Sequence, residues 1–195
     1  MIPATGGKLH WNYLLALERD LEAISRYVEF APANYEVYSI ELAHLLFAAA
    51  SEVDVVTKLL CAVLDPSARN GNMDHYRAVV MSNLPIMVVS KVYIPRYGLE
   101  LTPWDQWSQN QNPLWWRSYN DVKHERNAHF ARATLKNALN AMAALLLVAF
   151  EYYRRNLAEA PSLPLEPRRA TEALDPPTVL LRLPSDHYPD VITAN

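Results

Sequence analysis

Two apolar stretches constrain the fold of this 195-residue chain more than any other feature. Residues 45–50 are apolar on every side of a helix, which predicts a central and most buried helix around them. Residues 141–150 form the longest apolar run, yet they are fewer than the roughly 20 residues that cross a bilayer, and Glu151 follows directly. We therefore expect a helical core and no membrane association.

Composition supports one globular domain with a substantial core, since 51% of the residues are hydrophobic and 20% are charged. The net charge of −3 argues against wholesale nonspecific nucleic-acid binding, but it leaves room for a local basic face. Cys61 is the only cysteine, so neither an internal disulfide nor a Cys-rich metal cluster can form. Its apolar surroundings predict a buried, inert thiol. The N-terminal residues lack a secretory signal pattern, which favours a cytoplasmic protein.

Hydrophobic residues that recur every three or four positions predict four main helices. They cover roughly residues 8–30, 38–64, 73–82 and 113–157. The first helix places Glu18 on its polar face. The last begins with Pro113 at its first helical position and Asn112 as its cap, and its core stripe is Ala131, Leu135, Ala138, Met142, Leu145 and Ala149. The predicted fold is all-α, an up-down bundle of four main helices over residues 1–160.

Two segments depart from the helical pattern. Residues from about 85 to 112 contain apolar and β-branched runs around a Pro-Arg-Tyr-Gly turn, which predicts a small hairpin or irregular insertion. Residues 161–195 hold seven of the fourteen prolines. We expect them to form an extended, non-helical Pro-rich tail, either disordered or draped over the surface, where residues 179–183 and 188–192 could dock.

Polar side chains crowd the start of the last predicted helix, beside its apolar run. They are Arg117, Asn120, Lys123, His124, Arg126, Asn127 and His129. Such groups are costly to hold near a core without partners, so they predict a binding site or a dimer contact. On a continuous helix Arg117, Asn120 and His124 share one face. Ala131, Ala138 and Leu145 follow His124 at seven-residue steps, so the apolar core stripe would lie on the same side of that helix.

The surrounding residues allow two interpretations of this segment. Five Lys or Arg residues lie between positions 113 and 136, with only Asp121 and Glu125 against them. Nearby aromatic residues are Trp104, Trp107, Trp115, Trp116 and Tyr119. Together they suit phosphate and base contacts, or they form a solvated basic face with aromatics sealing the bundle. Glu52 or Asp54 could pair with Arg117 or Arg126, the alternative being an exposed Asp54–Lys58 pair.

Spacing excludes several other chemistries. His124-Glu125 and His129 differ from the zinc-protease motif, because five residues turn a continuous helix by roughly 500° and separate the imidazoles by about 140°. No serine lies in a Gly-flanked elbow, and four glycines provide no phosphate-binding loop. We therefore predict no metal and no cofactor. The isolated histidines are expected at the surface or satisfied in the core; they are His10, His44, His75 and His187.

Residues 115–126 read Trp-Trp-Arg-Ser-Tyr-Asn-Asp-Val-Lys-His-Glu-Arg, which resembles a branch of the HEPN superfamily (higher eukaryotes and prokaryotes nucleotide-binding). The resemblance extends over roughly residues 8–157. It implies a helical bundle that binds RNA or nucleotides as a homodimer. Many members are metal-independent endoribonucleases of toxin–antitoxin or phage-defence systems, with four to six residues between an Arg and a His. Arg117 and His124 match that spacing, with Ser118 where the family usually has Asn, Asp or His.

The resemblance also implies roles for these side chains. His124 would act as general acid or base, Arg117 would stabilise charge on the phosphate, and Asn120 would orient His124. Nucleic-acid contacts would come from Lys123, Arg126, Asn127 and His129. Two alternatives remain open at this point: a non-catalytic helical interaction or dimerisation module, and a helical small-molecule sensor whose Trp-rich insertion lines a pocket.

Overall fold

The computed structural model describes residues 7–69, 71–160 and 162–188, and helices dominate this part of the chain. The helices are α1 (Leu9–Ile24), α2 (Ile40–Leu64), α3 (Met73–Asn83), α4 (Pro85–Val89), α5 (Leu114–His124), α6 (Arg126–His129), α7 (Leu135–Asn156) and α8 (Pro167–Ala173). The strands are β1 (Val92–Ile94) and β2 (Leu99–Leu101). The predicted all-α fold class is confirmed. α1 ends earlier than the sequence suggested, at Ile24.

Helix α7 lies at the centre of the bundle and packs mainly against α2. Every residue from 141 to 150 is at most 3% exposed, so this helix is covered on all sides. The prediction that residues 45–50 form the most buried helix is wrong in this respect, because Phe47 and Ala48 are only partly buried. α2 therefore has an outward face, which includes Val55 and Leu59.

The last helix is not continuous from residue 113 to 157 as predicted. Glu125 leaves the helical conformation (φ −135°, ψ 53°), and its carbonyl accepts hydrogen bonds from the N–H groups of Ala128 and His129, which begin a new turn. A 3₁₀ turn follows at Phe130–Arg132. Ala131 is consequently exposed rather than part of the core stripe. The polar stripe on α5 and the apolar stripe on α7 belong to separate helices.

The N-terminus of α7 is fixed by groups that are distant in sequence. Thr134 is extended, and its hydroxyl accepts the Asn137 N–H at 3.3 Å, as an N-cap does. The next two N–H groups, of Leu135 and Lys136, donate to the carbonyls of Val37 and Tyr35 at 2.8 and 3.1 Å. The loop before α2 thus satisfies donors that would otherwise be unpaired, and it stops α7 from extending backward.

Helix α5 begins one residue later than predicted, and its cap differs from the expected one. Pro113 precedes the helix, and the Leu114 N–H donates to the side-chain carbonyl of Gln106 at 2.5 Å. Asn112 instead bonds Arg77 and Asp74 at the start of α3. The expected Asn112 cap is therefore wrong, since that side chain joins the loop to α3.

The predicted insertion is a hairpin. β1 and β2 pair antiparallel, with Tyr93 opposite Glu100, around a 3₁₀ turn that ends at Gly98. Gly98 has φ 62°, a conformation that favours glycine, so it suits the turn between the strands. After the hairpin, Trp104 and Trp107 are 0% and 1% exposed and seal this end of the core.

The prediction that the Pro-rich tail is non-helical is wrong, because its described part contains α8. Of the two alternatives for the tail, disorder or docking on the surface, residues 179–183 show docking. Pro167 opens α8, because proline is tolerated at the first helical position and no other proline follows before Pro176. Beyond α8, residues 179–183 pack on the bundle, where Leu181 is fully buried and Arg182 forms an antiparallel bridge with Tyr93 of β1. The docking candidate at 188–192 lies outside the described residues beyond Tyr188.

Glu18 on α1 anchors the tail. The side chain is only 5% exposed, and its two oxygens accept the backbone N–H groups of Val179, Leu180 and Leu181 at 2.8–2.9 Å. Its expected place on the polar, solvent-facing side of the helix is therefore wrong. A carboxylate with three N–H donors is well compensated for burial, because hydrogen bonds to a charged group are stronger than neutral ones.

We predict that Glu18→Ala lowers the free energy of unfolding by roughly 3 kcal/mol, because it leaves buried N–H groups without an acceptor. Urea unfolding followed by circular dichroism measures the loss. The matched control is Glu22→Ala on the same helix. Among the described residues its exposed carboxylate pairs with Arg96 alone, so the change should alter stability by less than about 0.5 kcal/mol. Equal losses in the two variants would contradict the anchoring role of Glu18.

Candidate functional site

Helix α5 presents the predicted catalytic side chains on one face. Arg117 and His124 are both exposed, and Asn120 lies between them and is partly buried. Seven residues of α-helix advance about 10 Å and return to nearly the same direction, so Arg117 and His124 point the same way two turns apart. A single copy therefore displays a guanidinium and an imidazole along one face, separated by about 10 Å of helix axis.

Asn120 is engaged with its own helix. Its amide N–H donates to the carbonyl of Trp116 at 2.9 Å, four residues earlier. Within the described residues it forms no hydrogen bond with His124, so the expected orienting contact is not present. Asn120 also lines a neighbouring cleft.

That cleft, of about 430 Å³, lies between α2, the start of α3 and α5. Its polar lining includes Ser51 and Asp54 from α2, Asn72 and Asp74 at the start of α3, and Asn120 and Lys123 from α5, with the rings of Trp116 and Tyr119 between them. Arg117 and His124 are not part of this lining. The site residues of α5 are thus divided between a cleft and an adjoining exposed face.

Two of the predicted phosphate-binding cations rest on aromatic rings at the edge of this region. The ammonium of Lys123 lies 5.3 Å from the Tyr119 ring centre, and the Arg126 guanidinium lies 5.1 Å from that of Phe47. The two rings meet edge to face at 5.7 Å. Because a ring face attracts a cation, these contacts hold two exposed positive charges close together.

The tryptophans form a chain of ring contacts that runs from the hairpin insertion to α5. Trp107 contacts Trp104 at 4.2 Å, Trp104 contacts Trp115 at 5.3 Å, and Trp115 contacts Trp116 at 5.9 Å between ring centres. The first three are at most 2% exposed and belong to the core. Of these four rings, only Trp116 has an accessible surface. Trp104 and Trp107 of the insertion pack inside the bundle and, with at most 1% of their surface exposed, do not line an open pocket.

The helix break moves the remaining predicted residues off the α5 face. Asn127 and His129 lie on α6, where His129 is 3.5 Å from Glu125, and Arg132 forms an ion pair with Asp121. Because the helix is interrupted at Glu125, the directions of His124 and His129 do not follow from the turn of a continuous helix, and their spacing does not exclude a zinc motif. Within the described residues, no three His, Cys, Asp or Glu side chains come together as a metal-binding group.

The expected acidic partners of Arg117 and Arg126 have other contacts. Glu52 lies 2.5 Å from the Nδ1 atom of His10 on α1, and both side chains are about 15% exposed. His10 therefore has a partner that sequence spacing could not reveal, 42 residues away. Asp54 accepts a hydrogen bond from Tyr76. Burial, and then the charge and hydrogen bond of Asp54, raise the pKa of the Tyr76 phenol to about 12.

Cys61 is buried, as predicted, on the inner side of α2. Burial in apolar surroundings raises the pKa of its thiol to about 12, because the thiolate would lose its hydration. The thiolate is the nucleophilic form, so this cysteine is unsuited to catalysis.

No protein-family model, curated protein or solved structure matches this chain. In the described part of the chain, no helix combines the length and apolarity needed to cross a bilayer.

We predict that Cys61 reacts with Ellman's reagent at pH 8 far more slowly in native buffer than in 8 M urea. With a pKa of about 12, on the order of 10⁻⁴ of the native thiols are ionised at that pH. Release of the coloured thiolate measures the rate, and Cys61→Ala gives the background. Rapid labelling of the native protein would show that the thiol is accessible and ionised.

Proposed function

We propose that this protein is an HEPN-like RNA-binding protein that cleaves RNA without a metal ion, through the exposed face of α5. The observation that carries the proposal is the placement of Arg117 and His124: both are exposed, both lie on one helical face, and neither forms an ion pair within the described residues. Exposed charged groups with no structural partner are available to a ligand.

Local charge favours a polyanionic ligand despite the net charge of −3. Lys123 and Arg126 lie beside the face that carries Arg117. Of the two carboxylates in this segment, Asp121 is paired with Arg132 and Glu125 lies 3.5 Å from His129. The field near a site depends on nearby charges, so this part of the surface attracts phosphate groups. The two cations on rings are held near their binding positions, which reduces the entropy lost on binding.

The side chains on this face suit cleavage through the ribose 2′-hydroxyl. An imidazole ring can both accept and donate a proton, so His124 can accept the hydroxyl proton or donate one to the leaving oxygen. The Arg117 guanidinium offers paired N–H donors to the phosphate as negative charge develops on it. No protein-bound cofactor takes part in these steps.

A second copy would complete the site. In one copy about 10 Å of helix axis separates Arg117 from His124, which is long for contact with a single phosphate. Two α5 helices packed antiparallel across a two-fold axis would place Arg117 of one copy near His124 of the other, and the same pairing would occur twice. The proposal therefore includes a homodimer as the active form.

We predict that His124→Ala and Arg117→Ala each reduce RNA cleavage in EDTA by at least about 100-fold while the melting temperature stays within about 2 °C of the original. Both side chains are exposed, so their removal should cost little stability. His44→Ala, on the exposed side of α2, is the matched control and should cleave normally. Gel analysis of varied RNAs measures cleavage, and analytical ultracentrifugation measures the dimer.

If the purified protein leaves RNAs intact, or if the Arg117 and His124 variants simply unfold, the catalytic role is wrong. A dimer that forms without any RNA binding would instead support the non-catalytic interaction module.

We also predict that Arg117→Gln weakens the salt dependence of binding to single-stranded RNA. Each phosphate contact contributes about 0.7 to the slope of log K against log salt, so the slope should fall by roughly that amount. Fluorescence anisotropy between 50 and 250 mM KCl measures it. Arg19→Gln, an exposed charge on α1, removes the same charge elsewhere and should leave the slope unchanged. Equal changes in both variants would indicate a general charge effect.

A further inference from the structure

The cleft beside α5 contains a hydrogen-bond acceptor that the basic face does not explain. Two carboxylates line it, Asp54 and Asp74. Asp74 is already bonded to Arg77 at 3.1 Å and to Asn112 at 3.3 Å. Asp54 accepts one hydrogen bond from the buried Tyr76 and forms no ion pair within the described residues. Since a carboxylate can accept about four hydrogen bonds, Asp54 retains acceptor capacity toward the cleft.

The other walls suit a flat ring attached to a phosphate. Trp116 is partly buried and lines the cleft, so part of its indole is accessible to a planar group. Lys123 also lines the cleft and is exposed, which places a cation at the opening. The volume of about 430 Å³ lies within the usual range for sites of small molecules.

We infer that this cleft binds a nucleobase that carries an exocyclic amino group, with Asp54 accepting a hydrogen bond from that group. Adenine, cytosine and guanine have such a donor. Uracil presents a carbonyl oxygen where cytosine has its amino group, and that oxygen would face the Asp54 carboxylate with no proton between them. This inference rests on the proposed RNA-binding function and adds a base preference to it.

The position of Lys123 links the cleft to the proposed catalytic face. Lys123 precedes His124 directly in α5, and successive side chains of a helix diverge by about 100°, so the opening of the cleft adjoins the face that carries the imidazole. A base in the cleft would therefore fix the register of the RNA strand on the exposed face, because base contacts carry sequence information that phosphate contacts lack.

The test compares wild-type protein with Asp54→Asn in binding AMP, CMP, GMP and UMP by isothermal titration calorimetry. For the wild-type protein we expect each of the three amino-bearing nucleotides to bind at least about tenfold more tightly than UMP, as a hydrogen bond to a charged group allows. Asp54→Asn should bring the four affinities to within about threefold. The amide oxygen still accepts from Tyr76, so the fold should be retained, which circular dichroism checks.

Two further variants separate local from general effects. Asp20→Asn removes an exposed carboxylate on α1 and should leave the preference intact. Lys123→Met should weaken the binding of all four nucleotides alike and keep their order, because it removes the phosphate contact and leaves Asp54 in place. If Asp54→Asn unfolds, the base preference of the wild-type protein and the affinities of Lys123→Met still show whether the cleft selects amino-bearing bases. UMP binding as tightly as the others to wild-type protein would overturn the inference.

Oligo(A), oligo(C) and oligo(U) of equal length, tested by anisotropy, distinguish this inference from the proposed function. RNA binding without base preference would overturn the base-binding cleft and leave the RNA-binding proposal in place. Selective nucleotide binding without oligonucleotide binding would support the cleft and reject the RNA-binding proposal. Absence of both would reject both.

Discussion

The complete burial of the middle of α7 is the constraint on which the rest of the structure depends. Residues 141–150 are apolar and at most 3% exposed, so the chain must supply cover in every direction around that helix. α2 covers one side, α1 and α5 cover others, and α8 from the tail completes the enclosure. Residues 170–183 of the tail thus contribute to the core, and the Glu18 carboxylate stabilises them by binding the N–H groups of Val179, Leu180 and Leu181.

The same constraint determines where a polar face can exist. α7 is capped at Thr134 by its own side chain and by the loop at residues 35–38, so the polar residues before it cannot extend the buried helix. They form α5 and α6 at the edge of the bundle instead. There the break at Glu125 turns the chain, and α5 leaves a cleft against α2 and α3. Interruption of the helix is therefore what separates the candidate site from the core.

Sequence patterns predicted what depends on local periodicity and missed what depends on distant partners. The α2 and α3 helices, the hairpin, and the shared face of Arg117, Asn120 and His124 follow from spacing within single elements. The break after His124 does not, because the carbonyls that bond the first two N–H groups of α7 come from about 100 residues earlier. Glu18 looked like a surface residue since its donors lie 161–163 residues away. The burial of a polar group together with its partner depends on the tertiary structure. Such partners can lie too far apart in the sequence for a local pattern to include both.

The arrangement of charge around α5 separates two kinds of recognition. The cations Arg117, Lys123 and Arg126 are exposed, so their attraction for phosphates is long-ranged, independent of sequence and screened by salt. Asp54 is partly buried inside the cleft, where a hydrogen bond depends on geometry and is screened less. A carboxylate in that position opposes phosphate binding and is favourable only for a group that donates protons. In the proposed function, affinity on the outer face and selectivity in the cleft are therefore physically distinct, and a net negative charge does not prevent a polyanion from binding at one defined place.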